Sequence, residues 1–337
     1  MVALQERVPG VKLHIFTLVP AWFFSDSGVR DFEWHGVECD LGLVQQTTLQ
    51  EDVPATVEKL KGFIPLDRRA GELARELTLC ECAIAICDIA PMGILAAHMA
   101  GIPSVLVENF TWDWIYEGYL DRWPELKIPA DTFAREFARA TYHVQTTPAC
   151  RPSDCDLVTP PVSRKPRESR QSVRRVLGVD DGTSMVLLTM GGIRERRFRV
   201  PEPKFGRRVA FVIVGPSDRV ERSGNVILLP HHSELYHPDL VHAADVVIGK
   251  LGYSTLAECY AAGVPFGYIA RPSFREGGPL ADFAQREMQG VAIAAESYLS
   301  GQWTTELDRL LAQPRRSKPV LNGADVAAEF ILRPSAR

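Results

Sequence analysis

The sequence predicts an α/β protein made of two doubly wound parallel sheets. Three observations predict it. Short β-branched runs alternate with helical segments in both halves of the chain, the pattern of repeated βαβ units. The stretch 243–286 displays one such unit completely, and the Pro160-Pro161 pair reads as a crossing from one domain to the next. We therefore expect an N-terminal domain over residues 1–160, a C-terminal domain over 161–323, and a terminal helix and tail over 324–337.

Taken in order, residues 2–7 read as the tail of a helix and 11–19 (VKLHIFTLV) as a strand. Residues 37–43 read as another strand, and 52–60 and 66–77 as helices. Residues 82–88 (CAIAICD) form a buried strand, 91–100 a helix stopped by Gly101, and 102–108 the next strand. An aromatic-rich helix follows within 109–121, a further helix spans 131–141, and strands are expected at 144–146 and 157–162. The basic stretch 164–175 has helical spacing from Arg170 and reads as a solvated face. In the second half, strands are expected at 185–190, 210–214, 226–229, 245–249, 265–270 and 291–293, with helices at 236–243, 256–262, 303–311 and 324–332.

Composition narrows the function classes. The chain has 337 residues, 46% of them hydrophobic and 24% charged, enough for two cores of ordinary size. A formal charge of -4 gives no basic footprint for nucleic acid. The apolar stretch 83–107 is interrupted by Asp88, Pro91, His98 and Pro103, which argues against a transmembrane segment, and a cytoplasmic protein is expected. Seven cysteines at irregular spacing suggest neither a disulfide framework nor a zinc site. No metal and no cofactor is expected.

The stretch 243–286 carries the chemistry. A β-branched run stopped by Gly249 turns through Lys250-Leu251-Gly252 into a helix that Ser254 or Thr255 could cap and that ends at Gly263. A glycine turn feeding a helix N-terminus aims backbone N–H groups and the positive end of the dipole outward, which suits a phosphate. Lys250 would add a point charge, and Glu258, about one turn inside the helix, could accept both hydroxyls of a ribose. A solvated first-turn acid beneath a simple cap is the plainer alternative.

The ordered pattern Gly252, Ser254-Thr255, Glu258, Ala262-Gly263-Val264-Pro265, a strand and then a polar loop over 271–282 resembles the donor-nucleotide signature of the GT-B glycosyltransferases. Residues 249–258 (GKLGYSTLAE), Val264-Pro265-Phe266, Gly301-Gln302-Trp303, residues 109–116 (NFTWDWIY) and Gly191-Gly192 are similar to the glycosyltransferase-like domain that precedes the kinase domain of plant L-arabinokinases, and to its stand-alone bacterial relatives. The resemblance implies two Rossmann-like domains facing a cleft, and no kinase activity. It also implies a first strand and a Gly-His-Gly loop ahead of residue 11, which this sequence does not contain, so the first domain is expected to lack its first strand.

What the resemblance implies for function is transfer of a hexosyl or pentosyl group from a nucleotide sugar, UDP-linked, to an unknown acceptor, with inversion and without a metal. A nucleotide-sugar hydrolase or epimerase of the same fold, or a non-catalytic nucleotide-sugar-binding module, are the alternatives. Donor contacts are expected at Gly191, Gly192, Lys250, Gly252, Ser254, Thr255 and Glu258, with His231 or His232 near the base and Arg275, Glu276 and Asp282 near the sugar. Asp113 and Asp88 are the candidate bases; Asp113 could equally cap the helix carrying Trp114 and Tyr116.

Overall fold

The computed structural model describes residues 1–190, 208–316 and 320–333. The chain divides into two compact units, one made of Met1–Val44, Glu51–Val162 and the residues from Leu321 onward, the other of Gln45–Gln50 and Ser163–Val320.

The strands are β1 (Leu13–Phe16), β2 (Phe32–His35), β3 (Gln45–Thr47), β4 (Gln50–Glu51), β5 (Ala85–Asp88), β6 (Ser104–Glu108), β7 (Tyr142–Thr146), β8 (Leu157–Thr159), β9 (Ser184–Thr189), β10 (Val209–Ser217), β11 (Glu221–Ser223), β12 (Val226–Pro230), β13 (Val246–Lys250), β14 (Phe266–Ile269) and β15 (Val291–Ala292). In the first unit β5-β6-β7-β8 form a parallel sheet, and β1 pairs with β2 in a separate parallel ribbon. The second unit carries the order β11-β12-β10-β9-β13-β14-β15, parallel throughout except for the antiparallel edge β11.

Burial on both faces explains the apolar strands of the second unit. Along β9, Met185 and Leu187 enter one core layer with Leu256 and Phe283, while Val186 and Leu188 enter the opposite layer with Phe211 and Trp303. Successive side chains point to opposite faces, so a strand covered on both sides has no polar face. Local signals set the helix ends. Asp52 accepts from Ala55 N at 2.9 Å to cap the Val53–Phe63 helix, Ser169 caps Arg170–Val176, and Asn322 caps Gly323–Ile331. Gly101 and Gly263 end their helices at φ 69° and 64°, a left-handed conformation open to glycine at little cost.

One expectation in the first unit is corrected. Residues 37–43 form no strand, although Cys39, Leu41 and Leu43 alternate inward; the segment is held by Trp112 Nε1 donating to Asp40 Oδ2 at 3.1 Å and by the Tyr116 hydroxyl donating to the Leu41 carbonyl. The strand in this region is instead β2, which follows β1 at Phe32. Near the chain ends, Ala3 and Leu4 pack on Ala328 of the Gly323–Ile331 helix.

Candidate functional site

In the second unit the site begins at the carboxyl end of β13. Gly249 is dictated by packing: a Cβ there would lie 2.3 Å from the Thr189 carbonyl oxygen of β9, its register partner. The chain turns at Leu251-Gly252, and the next helix runs Tyr253–Ala262 with Gly252 as its N-cap. This corrects the expected cap, since neither Ser254 nor Thr255 bonds across the helix start; both lie inside its first turn, Ser254 exposed and Thr255 buried. The helix therefore opens without a side-chain cap, and its first N–H groups keep the anion-attracting character of an uncapped terminus. Among the described residues, a Cβ on Gly252 would meet nothing within 4 Å, so glycine leaves space open to them beside the backbone at that turn.

Glu258 is where the structure departs most from the sequence reading. Its side chain is 3% exposed, and its carboxylate meets two side chains of its own unit rather than facing solvent. Arg164 Nε donates to Oε1 at 2.8 Å, and His237 Nδ1 lies 2.9 Å from Oε2. Desolvation pushes this carboxyl up, but the hydrogen bond and charge of His237 and the charge of Arg164 outweigh it and leave it below its ordinary value. An ionised carboxylate only accepts, so Nδ1 carries the ring proton. On the other side of the ring, His237 Nε2 lies 3.1 Å from the Thr189 hydroxyl at the end of β9. Arg164 also lies over the Tyr236 ring with Arg167, at 5.4 and 4.0 Å. Thr189, His237, Glu258 and Arg164 thus form one chain of polar contacts.

Sequence reasoning missed Arg164 and His237. The sequence places Arg164 on a solvated basic face, yet it pairs with the buried carboxylate of Glu258, and the same correction applies further along: Arg170 and Arg174 both bind Asp245, and Arg174 is 4% exposed. The available signal was an excess of arginine over 164–175 together with an aspartate, Asp245, just ahead of β13.

The other candidates are dispersed. His231 is half-buried and His232 exposed in the turn after β12. Arg275 is exposed and Glu276 buried at the start of the Gly277–Met288 helix. Asp282 lies on the exposed face of that helix, not on a loop, because the polar segment becomes helical at Gly277. Lys250 is half-buried at the end of β13. Gly191 and Gly192 lie outside the described residues.

In the first unit, Asp88 ends β5. Solvent reaches its side chain, yet surrounding protein crowds it; desolvation, and then the charge of Asp40, push its carboxyl up to about 6. Asp113 is buried in the first turn of the Trp112–Glu117 helix and does not cap it. Its Oδ1 has no hydrogen-bond partner among the described residues, Oδ2 lies 3.8 Å from Arg151 Nη1, and desolvation raises its carboxyl despite the opposing Thr111 hydroxyl. Trp114 and Tyr116 are core residues. Asp40 lines a recess of about 270 Å³ with Thr17, Glu38, Gly42 and Lys59. A second recess, beside His98, Ser104 and Thr141, lies by the amino end of β6, the strand end opposite to that of the candidate carboxylates.

Comparison with solved structures decides the fold. MurG of Acinetobacter baumannii superposes with a TM-score of 0.58, at 15% identity over 98% of this chain and 94% of that one. A UDP-glucosyltransferase from Polygonum tinctorium superposes at 0.59, with 12% identity over 97% and 87% of the two chains. The fold is GT-B. Among curated proteins, L-arabinokinase of Arabidopsis thaliana is 30% identical over 96% of this chain, and an uncharacterized glycosyltransferase of Methanopyrus kandleri is 26% identical over 64% of it. The chain spans 31% of the length of the first relative and 64% of the second. No protein-family model matches. Among the described residues of this GT-B chain, no helix is long and apolar enough to cross a membrane.

Proposed function

We propose that this GT-B chain transfers a glycosyl group from a nucleoside diphosphate sugar, UDP-linked, to an acceptor hydroxyl. The observation that carries the reading is the turn from β13 into the Tyr253–Ala262 helix: a helix start without a side-chain cap, a lysine immediately before the turn, and open space beside Gly252. Backbone N–H groups there and Lys250 compensate the diphosphate, whose charge grows as it leaves. Ser254, exposed in the first turn, adds a hydroxyl donor.

Glu258 acts in this reading as a positioning residue. It fixes the ring of His237 and the guanidinium of Arg164, and only two of its roughly four acceptor positions are used, so a ribose hydroxyl gains access once one of those side chains swings aside. In the transfer step the acceptor oxygen attacks the anomeric carbon, the bond from that carbon to the phosphate oxygen breaks, and the acceptor proton passes to a carboxylate. Asp88 suits that task, because a base with a pKa near the working pH transfers protons efficiently. Direct displacement inverts the anomeric centre, with no metal in the step.

Calorimetric titration of the full chain with UDP tests the donor site. Wild type binds, and Lys250→Ala weakens binding by about tenfold or more, the loss of one charge-assisted contact. A folded protein that binds no nucleotide would remove the reading.

A further inference from the structure

The ribbon β1–β2 gathers side chains that the sequence keeps far apart. Its parallel register sets His14 opposite Glu33 and Phe16 opposite His35. Side chains two apart on a strand share a face, so His14, Glu33 and His35 project together. Phe16 orients the second imidazole by stacking on it, with ring centroids 4.3 Å apart and planes 14° apart. Onto the same place comes Cys80, the residue that ends the Asp67–Leu79 helix.

One donor atom each from His14, His35 and Cys80 lies within 4.8 Å of the other two. His14 Nδ1 and His35 Nε2 are 3.2 Å apart, and Glu33 Oε2 is 3.5 Å from His14 Nδ1. Two imidazole nitrogens on a tetrahedral zinc at its usual bond length of about 2.05 Å are about 3.3 Å apart. A plain hydrogen bond between the rings also accounts for 3.2 Å, but it leaves the arrival of a thiol unexplained. We propose that His14, His35 and Cys80 form a binding site for a divalent transition metal of zinc type.

The donor set fits that class: two imidazoles and a thiolate suit a borderline-soft ion, whereas calcium and magnesium require oxygen. The surroundings are anionic. The carboxylates of Glu33 and Glu76 act on Cys80, and negative charge of that kind favours a bound cation. The half-buried ligands leave a path for entry. The site would tie the ribbon to the end of a helix roughly 45 residues further along the chain. The cysteine spacing gave no hint of it, because two of the ligands come from neighbouring strands and none from a Cys-x-x-Cys pattern.

Calorimetric titration of the chelator-stripped full chain with zinc is the test, together with the absorption spectrum of the cobalt(II) form. We expect uptake of one equivalent, a rise in the thermal midpoint, and a thiolate-to-cobalt charge-transfer band. Cys80→Ser abolishes that band, and both it and His35→Ala weaken zinc binding more than about tenfold. Cys155→Ser, at a cysteine bonded instead to the Leu157 carbonyl, changes neither. Circular dichroism confirms that each variant is folded. Failure of wild type to take up stoichiometric zinc, or uptake that Cys80→Ser and His35→Ala leave unchanged, overturns the proposal.

Discussion

Replacing Glu258 separates its structural weight from any ligand role. The carboxylate is 3% exposed and takes two hydrogen bonds, at 2.8 and 2.9 Å, from groups that have lost part of their own hydration to reach it. Truncation to alanine removes one partner of a buried charged network, a change that costs about 3–5 kcal/mol. Arg164 and His237 are 30% and 23% exposed and can rehydrate, so about 3 kcal/mol is expected. Glutamine should cost less, about 1–2 kcal/mol. Its carbonyl oxygen still accepts from Arg164, and its amide can donate to Nδ1 once His237 moves its proton to Nε2 and donates to Thr189.

Urea denaturation at neutral pH measures both variants, and repeating it in acid adds a sign. The Glu258 carboxyl is lowered in the folded state, so its contribution is present above its unfolded value near pH 4.5 and is lost as pH falls through the folded value. The stability gap between wild type and Glu258→Gln must therefore narrow below about pH 4.5. A glutamate-to-alanine penalty under about 1 kcal/mol, or a gap that widens in acid, would refute the account of this network.

Further outcomes follow from the same geometry. With Asp88 as base at about pKa 6, the rate of sugar transfer should rise as pH climbs through 6 and level off above it, and Asp88→Asn should abolish that limb. The raised value makes ionised Asp88 a burden on the fold, so stability from this group declines between about pH 4 and pH 6 and Asp88→Asn should be neutral or stabilising at pH 7 in thermal melts. Gly249→Ala places a methyl 2.3 Å from the Thr189 carbonyl between two central strands and should cost about 1–3 kcal/mol or block folding, read by denaturation. Gly323→Ala meets the Pro160 carbonyl at 2.0 Å and should lower stability by a similar amount, with the loss confined by hydrogen exchange to the first unit.

Much of the fold was legible because its strands are buried on both faces and its helices carry caps and glycine stops. The unit from β13 to β14 reads directly from the β-branched run, the Gly252 turn and Gly263. The run 37–43 shows where periodicity stops informing: its alternating burial is real, but a period of two reports which side chains turn inward, not whether a neighbouring strand supplies hydrogen bonds. Charge was the other blind spot. Nothing local distinguishes Arg164, which meets Glu258 across 94 residues, from an arginine on a solvated face. The turn that suits a phosphate could be read from local sequence; the company of Glu258 could not, because it depends on which segments the fold stacks above the helix.

The first unit closes only with the Gly323–Ile331 helix, whose Gly323 N–H donates to the Pro161 carbonyl at 3.0 Å and whose Ala327 packs beside Val105 and Val144. That helix leaves the ribosome after the whole of the second unit has been made. Synthesis therefore finishes the later domain before the earlier one can complete its core, and the Val105–Val144 surface must wait uncovered through the making of more than half the chain. An interrupted chain would yield a folded C-terminal half attached to a sticky N-terminal one.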